Sequence, residues 1–420
     1  MQFERLTLAG DPAILAAELR ELVPAPDSVA EAVAQIIARV RASGDGALRY
    51  YTREFDTGGE TPAALRVPEA ELDTAAERLA EDVRDGLQLA ITNVTKVAES
   101  RLAADRTVQF DGHEVRLREV ALDRAGIYVP GGRAPYPSTV VMCAVVAHVA
   151  GVREIAVCSP PGPDGDVDPA ILAACRLAGA SVVYRMGGAQ AIAALAYGTE
   201  TVSPVDVIVG PGNLYVQEAK RQVFGQVAID GFNGPSDLVV IATGAGLDPG
   251  PVALDLLAQA EHGPGSIVVA IADSGELLDA LGERIDAAPE GEAIVRLVQV
   301  SDAGQALAIS ETFAPEHLQL MGQDAEALAA DVRHAGCVLV GERSGTAFSD
   351  YVAGSNHVLP TNGAARFAST LSPAHFRRRF CEVRIGDGVA DLARAGAAIA
   401  RAEGFSEHAS SMEARVKHNG

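Results

Sequence analysis

Two textures of apolar spacing divide the chain. From residue 28 to about 101, apolar positions recur at threes and fours within Ala/Leu/Glu/Arg-rich stretches, as at Val29, Val33, Ile36, Ile37 and Val40, the period of amphipathic helices. From about Gly126, short β-branched runs alternate with Ala-rich stretches. Residues 155–158, 181–184 and 205–209 read as buried parallel strands, and the alternation implies βαβ units in an open sheet. The same texture recurs at 238–242 (strand), 252–261 (helix), 267–271 (strand) and 336–340 (strand). Residues 387–417 read as helices forming a small unit of their own. No period of 20–50 residues repeats.

A chain of 420 residues with 48% hydrophobic content exceeds one ordinary core and predicts at least two domains. The formal charge of −22 is spread along the chain, which favours solubility and repels nucleic-acid phosphates. No run reaches the ~18 uncharged apolar residues of a membrane span, and residues 1–10 lack the basic and apolar regions of a secretion signal. The expected location is the cytoplasm. Cys143, Cys158, Cys175, Cys337 and Cys381 are odd in number, widely spaced and without a C-x-x-C pair, which argues against a disulfide framework or a thiolate metal site. They are expected to be reduced. Cys143, in the apolar run 139–147, is expected to be a core residue with a raised pKa.

Three Gly-rich turns follow strand-like runs: Tyr128-Val129-Pro130-Gly131-Gly132-Arg133, Arg185-Met186-Gly187-Gly188-Ala189-Gln190 and Val209-Gly210-Pro211-Gly212-Asn213. Each alone is an ordinary strand-to-helix turn; together they suggest a cofactor cleft at the carboxyl ends of strands. Neither G-x-G-x-x-G nor a P-loop occurs. Gln259 and His262 are three apart at a helix end stopped by Gly263-Pro264-Gly265. A histidine there can serve as a C-terminal cap, but with Gln259 on the same face the pair also makes half a metal site. In Phe313-Ala314-Pro315-Glu316-His317-Leu318, two bases of different strength adjoin at a turn or helix start, which suits proton abstraction with water activation or, more simply, a solvated helix start. The run Ser349-Asp350-Tyr351-Val352-Ala353-Gly354-Ser355-Asn356-His357-Val358-Leu359-Pro360-Thr361 mixes polar donors with apolar residues, as in a buried functional loop. Glu403 and His408, taken alone, read as a solvated charged helix.

Taken together, these segments resemble the histidinol dehydrogenase family over nearly the whole chain. The most specific runs are Ala258-Gln259-Ala260-Glu261-His262-Gly263-Pro264, Ala314-Pro315-Glu316-His317-Leu318, and Asp350-Tyr351 leading into Gly354-Ser355-Asn356-His357-Val358-Leu359-Pro360-Thr361. The resemblance implies an NAD-linked four-electron oxidation of L-histidinol to L-histidine through the aldehyde. It implies one zinc ion per subunit held by Gln259, His262, Asp350 and His408, orienting substrate rather than making hydroxide. It assigns Glu316 and His317 to acid–base catalysis, Tyr128, Gln190 and Asn213 to NAD, and Ser236 and Glu403, with the zinc ligands and His317, to substrate. It also implies a homodimer in which His408 and Glu403 act in the partner's site.

The implied fold is α/β, with two incomplete Rossmann-like domains of the aldehyde-dehydrogenase-like kind. Residues 1–25 are then a helical extension, 26–127 and 238–370 the domain carrying zinc and catalytic residues, 128–237 an inserted NAD-binding domain, and 371–420 a helical dimerisation segment. One departure is Ile229-Asp230-Gly231-Phe232-Asn233-Gly234-Pro235-Ser236-Asp237, where the family more often has small residues before Gly-Pro-Ser and a Glu after it.

Three competing functions make different demands. A related zinc/NAD dehydrogenase of another small alcohol or sulfonated diol would keep the zinc and Glu-His residues; Glu403 five residues before His408 favours histidinol. A metal-dependent hydrolase would use Glu316 and zinc without NAD. A non-catalytic zinc-stabilised protein would have no use for a Gln ligand beside a Glu-His pair.

Overall fold

The computed structural model describes residues 2–23, 29–59, 64–131, 134–180, 182–231 and 234–416. Positions 28, 60–63, 132–133, 181, 232–233 and 417 of the runs read above fall outside the described residues. Two compact units result: residues 1–101 with 122–376, and residues 102–121 with 377–420.

The strands of the larger unit are β1 (Phe3–Thr7), β4 (Arg124–Tyr128), β5 (Glu154–Ser159), β6 (Val182–Arg185), β7 (Val207–Val209), β8 (Ala228–Ile229), β9 (Asp237–Ala242), β10 (Ile267–Ala272), β11 (Ile294–Gln299), β12 (His317–Met321) and β13 (Cys337–Val340). They form two wholly parallel sheets, ordered β6-β5-β4-β7-β8 and β1-β11-β10-β9-β12-β13. The strand order reverses at β4/β7 in one sheet and at β9/β12 in the other, the switch point of an open α/β sheet. The apolar run 238–242 of β9 and the whole of β10 are buried at every position, because helices cover both faces. Each buried Val or Ile there contributes about 1.5–3 kcal/mol relative to exposure.

Two expectations about residues before 128 are corrected. Residues 1–25 are not helical throughout. Phe3–Thr7 adds a strand beside β11, and among the described residues of this stretch only Pro12–Glu21 is helix, capped by the Asp11 side chain. Residues 26–127 were expected to share a domain with 238–370, but their helices do not pack on the sheet of 238–340. The helices Ala30–Phe55, Glu69–Arg78 and Glu81–Ser100 bury Val33, Val40 and Leu48 against Ile192, Ile208 and Val216, and Leu87 and Val94 in the cluster that holds Ile127 and Met142. They therefore cover the sheet of 124–229. Apolar periodicity marks a buried face without naming the surface it meets.

The smaller unit contains the antiparallel sheet β14-β3-β2, from β2 (Arg106–Phe110), β3 (His113–Ala121) and β14 (Arg377–Ile385), and the helices Val389–Ala402 and Ser406–Val416. The expectation that 371–420 is helical is corrected for β14, whose apolar Cys381, Val383 and Ile385 alternate with charged residues at strand period. The β2–β3 hairpin carried its own signal: Asp111-Gly112, with Gly112 at φ 80°, is a two-residue loop suited to paired strands.

Candidate active site

A cavity of about 400 Å³ lies between the two parallel sheets. The first sheet meets it with its carboxyl ends: Pro130 follows β4, and Pro211, Gly212, Asn213 and Leu214 follow β7. The second sheet meets it with its amino ends: Ser236 precedes β9, His262 and Ser266 precede β10, and Glu316 and His317 stand at the start of β12. The rule that ligands sit at carboxyl ends therefore holds here for the Gly-rich turns and is reversed for the polar residues opposite them.

The helix Pro249–Ala260 begins at the Asp248 cap and ends one residue after Gln259. His262 N–H turns back to Gln259 O at 3.3 Å, and Gly263 at φ 89° stops the helix. Gln259 is 2% exposed, and its side-chain Nε2 has no hydrogen-bond partner. His262 opens onto the cavity and so stays accessible, while the protein packed around its ring lowers its pKa. A neutral imidazole of this kind is a metal donor.

The Glu-His pair does not start a helix. The helix Ala303–Phe313 ends on Ala314 in the left-handed region at φ 51°, and Pro315 and Glu316 form a turn into β12. Glu316 thus escapes strand alternation, and both side chains line the cavity at 5% and 2% exposure. His317 Nε2 is 3.0 Å from Asp350 Oδ1. With the proton on Nε2, Asp350 orients the ring as the carboxylate does in a catalytic triad. Nδ1, without a hydrogen-bond partner and 3.9 Å from Glu316 Oε2, is then the basic nitrogen.

Burial raises Glu316 to about 8, against the opposing pull of His317. For His317, burial acts downward, but the Asp350 hydrogen bond and the charges of Asp350, Glu316 and Asp237 carry it up to about 8. Asp350 is pushed upward by burial and brought below its ordinary value by His317, His357 and His262. Two bases near neutrality in one cavity are suited to proton transfer.

Asp350 comes from the short helix Thr346–Tyr351, and the following loop is locked in place. Asn356 Nδ2 donates to Met142 O (2.7 Å), His357 Nδ1 to Asp350 O (2.8 Å), and Thr139 Oγ1 lies 3.2 Å from His357 Nε2. Tyr136, Ser138 and Thr139, none of them expected at the site, line the cavity. The signal for two of them was the polar Ser138-Thr139 pair at the start of an otherwise apolar run. Cys143 in that run is fully buried, with its thiol pushed up by burial.

Of the residues expected at NAD, Asn213 is at the cavity, its Oδ1 capping the helix Leu214–Val223 through Tyr215 N and Val216 N (3.0 and 3.2 Å). Tyr128 and Gln190 are buried beside the second Gly-rich turn, and Tyr128 Oη accepts from Gly188 N at 3.1 Å. Ser236 lines the cavity; Asp237, at the departure in the family pattern, is buried beneath it. Glu403 and His408 belong to the smaller unit, where both are exposed. Among the described residues no three of His, Cys, Asp and Glu converge to hold a metal; within the larger unit the expected donor set has only two of those types, His262 and Asp350, completed by Gln259.

Two parallel sheets meeting over a Glu-His-Asp cluster define an α/β enzyme whose titratable groups gather in the cavity between its sheets. The histidinol dehydrogenase family model matches residues 23–416, and the chain belongs to that family; it is an oxidoreductase with the histidinol dehydrogenase activity of histidine biosynthesis. It is 43% identical to the histidinol dehydrogenase of Synechococcus sp. over 91% of each chain. It is 41% identical to that of Gluconobacter oxydans over 93% of this chain and 94% of the relative. The crystal structure of histidinol dehydrogenase from Elizabethkingia anophelis superposes with a TM-score of 0.91 at 30% identity, covering 99% of this chain and 98% of that one. Among the described residues no helix is long and apolar enough to cross a membrane.

Proposed function

We propose that the cavity carries out the four-electron oxidation of L-histidinol to L-histidine through retained L-histidinaldehyde. The observation that carries this is the convergence of Glu316, His317 and Asp350 on one cavity, opposite Asn213 and beside the Gln259–His262 turn. His317 Nδ1 takes the alcohol proton in the first oxidation. Glu316, ionised, takes a proton from water attacking the aldehyde, and the resulting hydrate is oxidised to the carboxylate.

The residues fit zinc and NAD. A buried Gln259 amide with an unpartnered atom, a neutral His262 and an ionised Asp350 form a donor set with a single negative charge, which leaves the metal cationic and open to neutral nitrogen donors. When bound, NAD supplies the hydride acceptor and zinc orients the imidazole and amine of the substrate. Tyr128, Gln190 and Asn213 would hold NAD, and Ser236, with Glu403, the substrate.

His408 would complete the zinc site from a second copy of the chain, with Glu403 beside it. This reading is supported by the smaller unit's exposed apolar residues, Phe110, Leu117, Val383, Ile385, Ile399 and Phe405, a surface that suits an isologous partner. The expected location is the cytoplasm, in keeping with five free cysteines. The deciding experiment counts NADH formed per L-histidinol consumed by purified protein: two supports the proposal, and one or none rejects it.

A further inference from the structure

Glu316 is anchored from behind by a charged pair outside the cavity lining. Its backbone N–H donates to Asp237 Oδ1 at 2.6 Å, and the Asp237 N–H donates back to Glu316 Oε2 at 3.0 Å. The second oxygen of Asp237 accepts from Arg20 Nη1 at 2.7 Å and from Asn362 N at 3.3 Å. Arg20 reaches in from the helix Pro12–Glu21. Its Nη2 donates to Phe313 O at 2.5 Å, and its guanidinium lies 3.5 Å from the centre of the Phe313 ring. Asp237 is almost wholly buried, and the Arg20 side chain is 19% exposed.

Two buried carboxylates in contact are costly unless a cation neutralises one of them. The turn carrying Glu316 also includes Ala314 in a left-handed conformation that residues other than glycine avoid, so something must hold it. Arg20 meets both needs, through its ion pair with Asp237 and its contacts with Phe313. We propose that Arg20 and Asp237 are positioning residues for Glu316: the Asp237 backbone aims the carboxylate, and Arg20 neutralises Asp237 while clamping the 313–316 turn. The proposal rests on the reading of Glu316 as the water-activating base. The charged and titratable groups around Glu316 are His317, Asp350, Asp237 and the Cys337 thiol, with Arg20 behind Asp237.

The two partners act with opposite sign. Without the guanidinium, the negative charge of Asp237 disfavours ionisation of Glu316; without the Asp237 charge, ionisation becomes easier. The test uses the zinc-loaded enzyme with NAD and follows L-histidinaldehyde oxidation across pH, with L-histidinol oxidation to the aldehyde as the internal reference. In Arg20→Gln the acid limb of aldehyde oxidation should move to higher pH by about half a unit or more, and in Asp237→Asn to lower pH by a similar amount. Arg20→Lys, which keeps the charge, should stay near the parent profile. Should Arg20→Gln fail to fold, Asp237→Asn and Arg20→Lys still give the sign and the rescue. Unmoved limbs, or shifts of the same sign in Arg20→Gln and Asp237→Asn, overturn the proposal. If Glu316→Gln leaves aldehyde oxidation intact, the parent reading fails instead.

Discussion

Replacing Glu316 by Gln separates the two oxidations, because the amide keeps the size and hydrogen-bonding capacity of the carboxylate but cannot take a proton from water. With Glu316 raised to about 8 by burial, about one-tenth of it is ionised at pH 7 and about nine-tenths at pH 9. A raised carboxyl is protonated, and inactive as a base, below its pKa, so aldehyde oxidation should gain about tenfold over that interval from Glu316 alone. His317, also near 8, must be unprotonated in the alcohol step and in the aldehyde step alike. The ratio of the two rates therefore cancels its titration.

In the parent enzyme the ratio of L-histidinaldehyde to L-histidinol oxidation, each followed as NADH formation, should rise about tenfold from pH 7 to pH 9. In Glu316→Gln the ratio should be flat. A positioned base contributes about 10²–10⁴-fold; with a tenth of it active at pH 7, the loss in aldehyde oxidation should be about 10–10³-fold at pH 7 and about 10²–10⁴-fold at pH 9. Alcohol oxidation should stay within a few-fold. Equal losses in the two steps, or a ratio that still climbs with pH in the variant, would falsify the assignment of Glu316.

His317→Ala should slow both oxidations together, which single-turnover rates with each substrate would reveal. Gln259→Ala and His262→Ala should each lower bound zinc, measured by metal analysis after dialysis, while far-ultraviolet circular dichroism stays unchanged; full metal content in either variant would remove that residue from the donor set. Mixing inactive His262→Ala and His408→Ala chains should restore up to about one quarter of parental activity if the site is shared across a dimer, since half the dimers are then mixed and each has one intact site; no recovery would place His408 in its own chain's site. Asp230→Asn should cost about 3–5 kcal/mol in denaturant unfolding, because Lys220, fully buried and paired with Asp230 behind Gly210, would be left as an uncompensated charge.

Parallel strands buried on both faces favour apolar residues along their length, so β10 and residues 238–242 of β9 were legible as unbroken runs of Val, Ile, Leu and Ala. Helix ends were legible where backbone groups demand specific residues, as at Asp248 before Pro249 and Gly263 after His262. The chemical pairing of Gln259 with His262, and of Glu316 with His317, was visible because each pair is local. What the sequence could not decide was which apolar face meets which sheet: the helices of 30–100 cover the 124–229 sheet although the domain pattern suggested the other. Nor could it reveal that the second sheet turns its amino ends toward the cavity, or that Arg20, almost 300 residues from Glu316, stands behind it through Asp237. Side-chain period and capping are set within a few residues of chain, whereas partners and their electrostatic effects depend on long-range packing, which brings Asp237, Asp350 and burial itself to bear on Glu316 and His317 only in the folded protein.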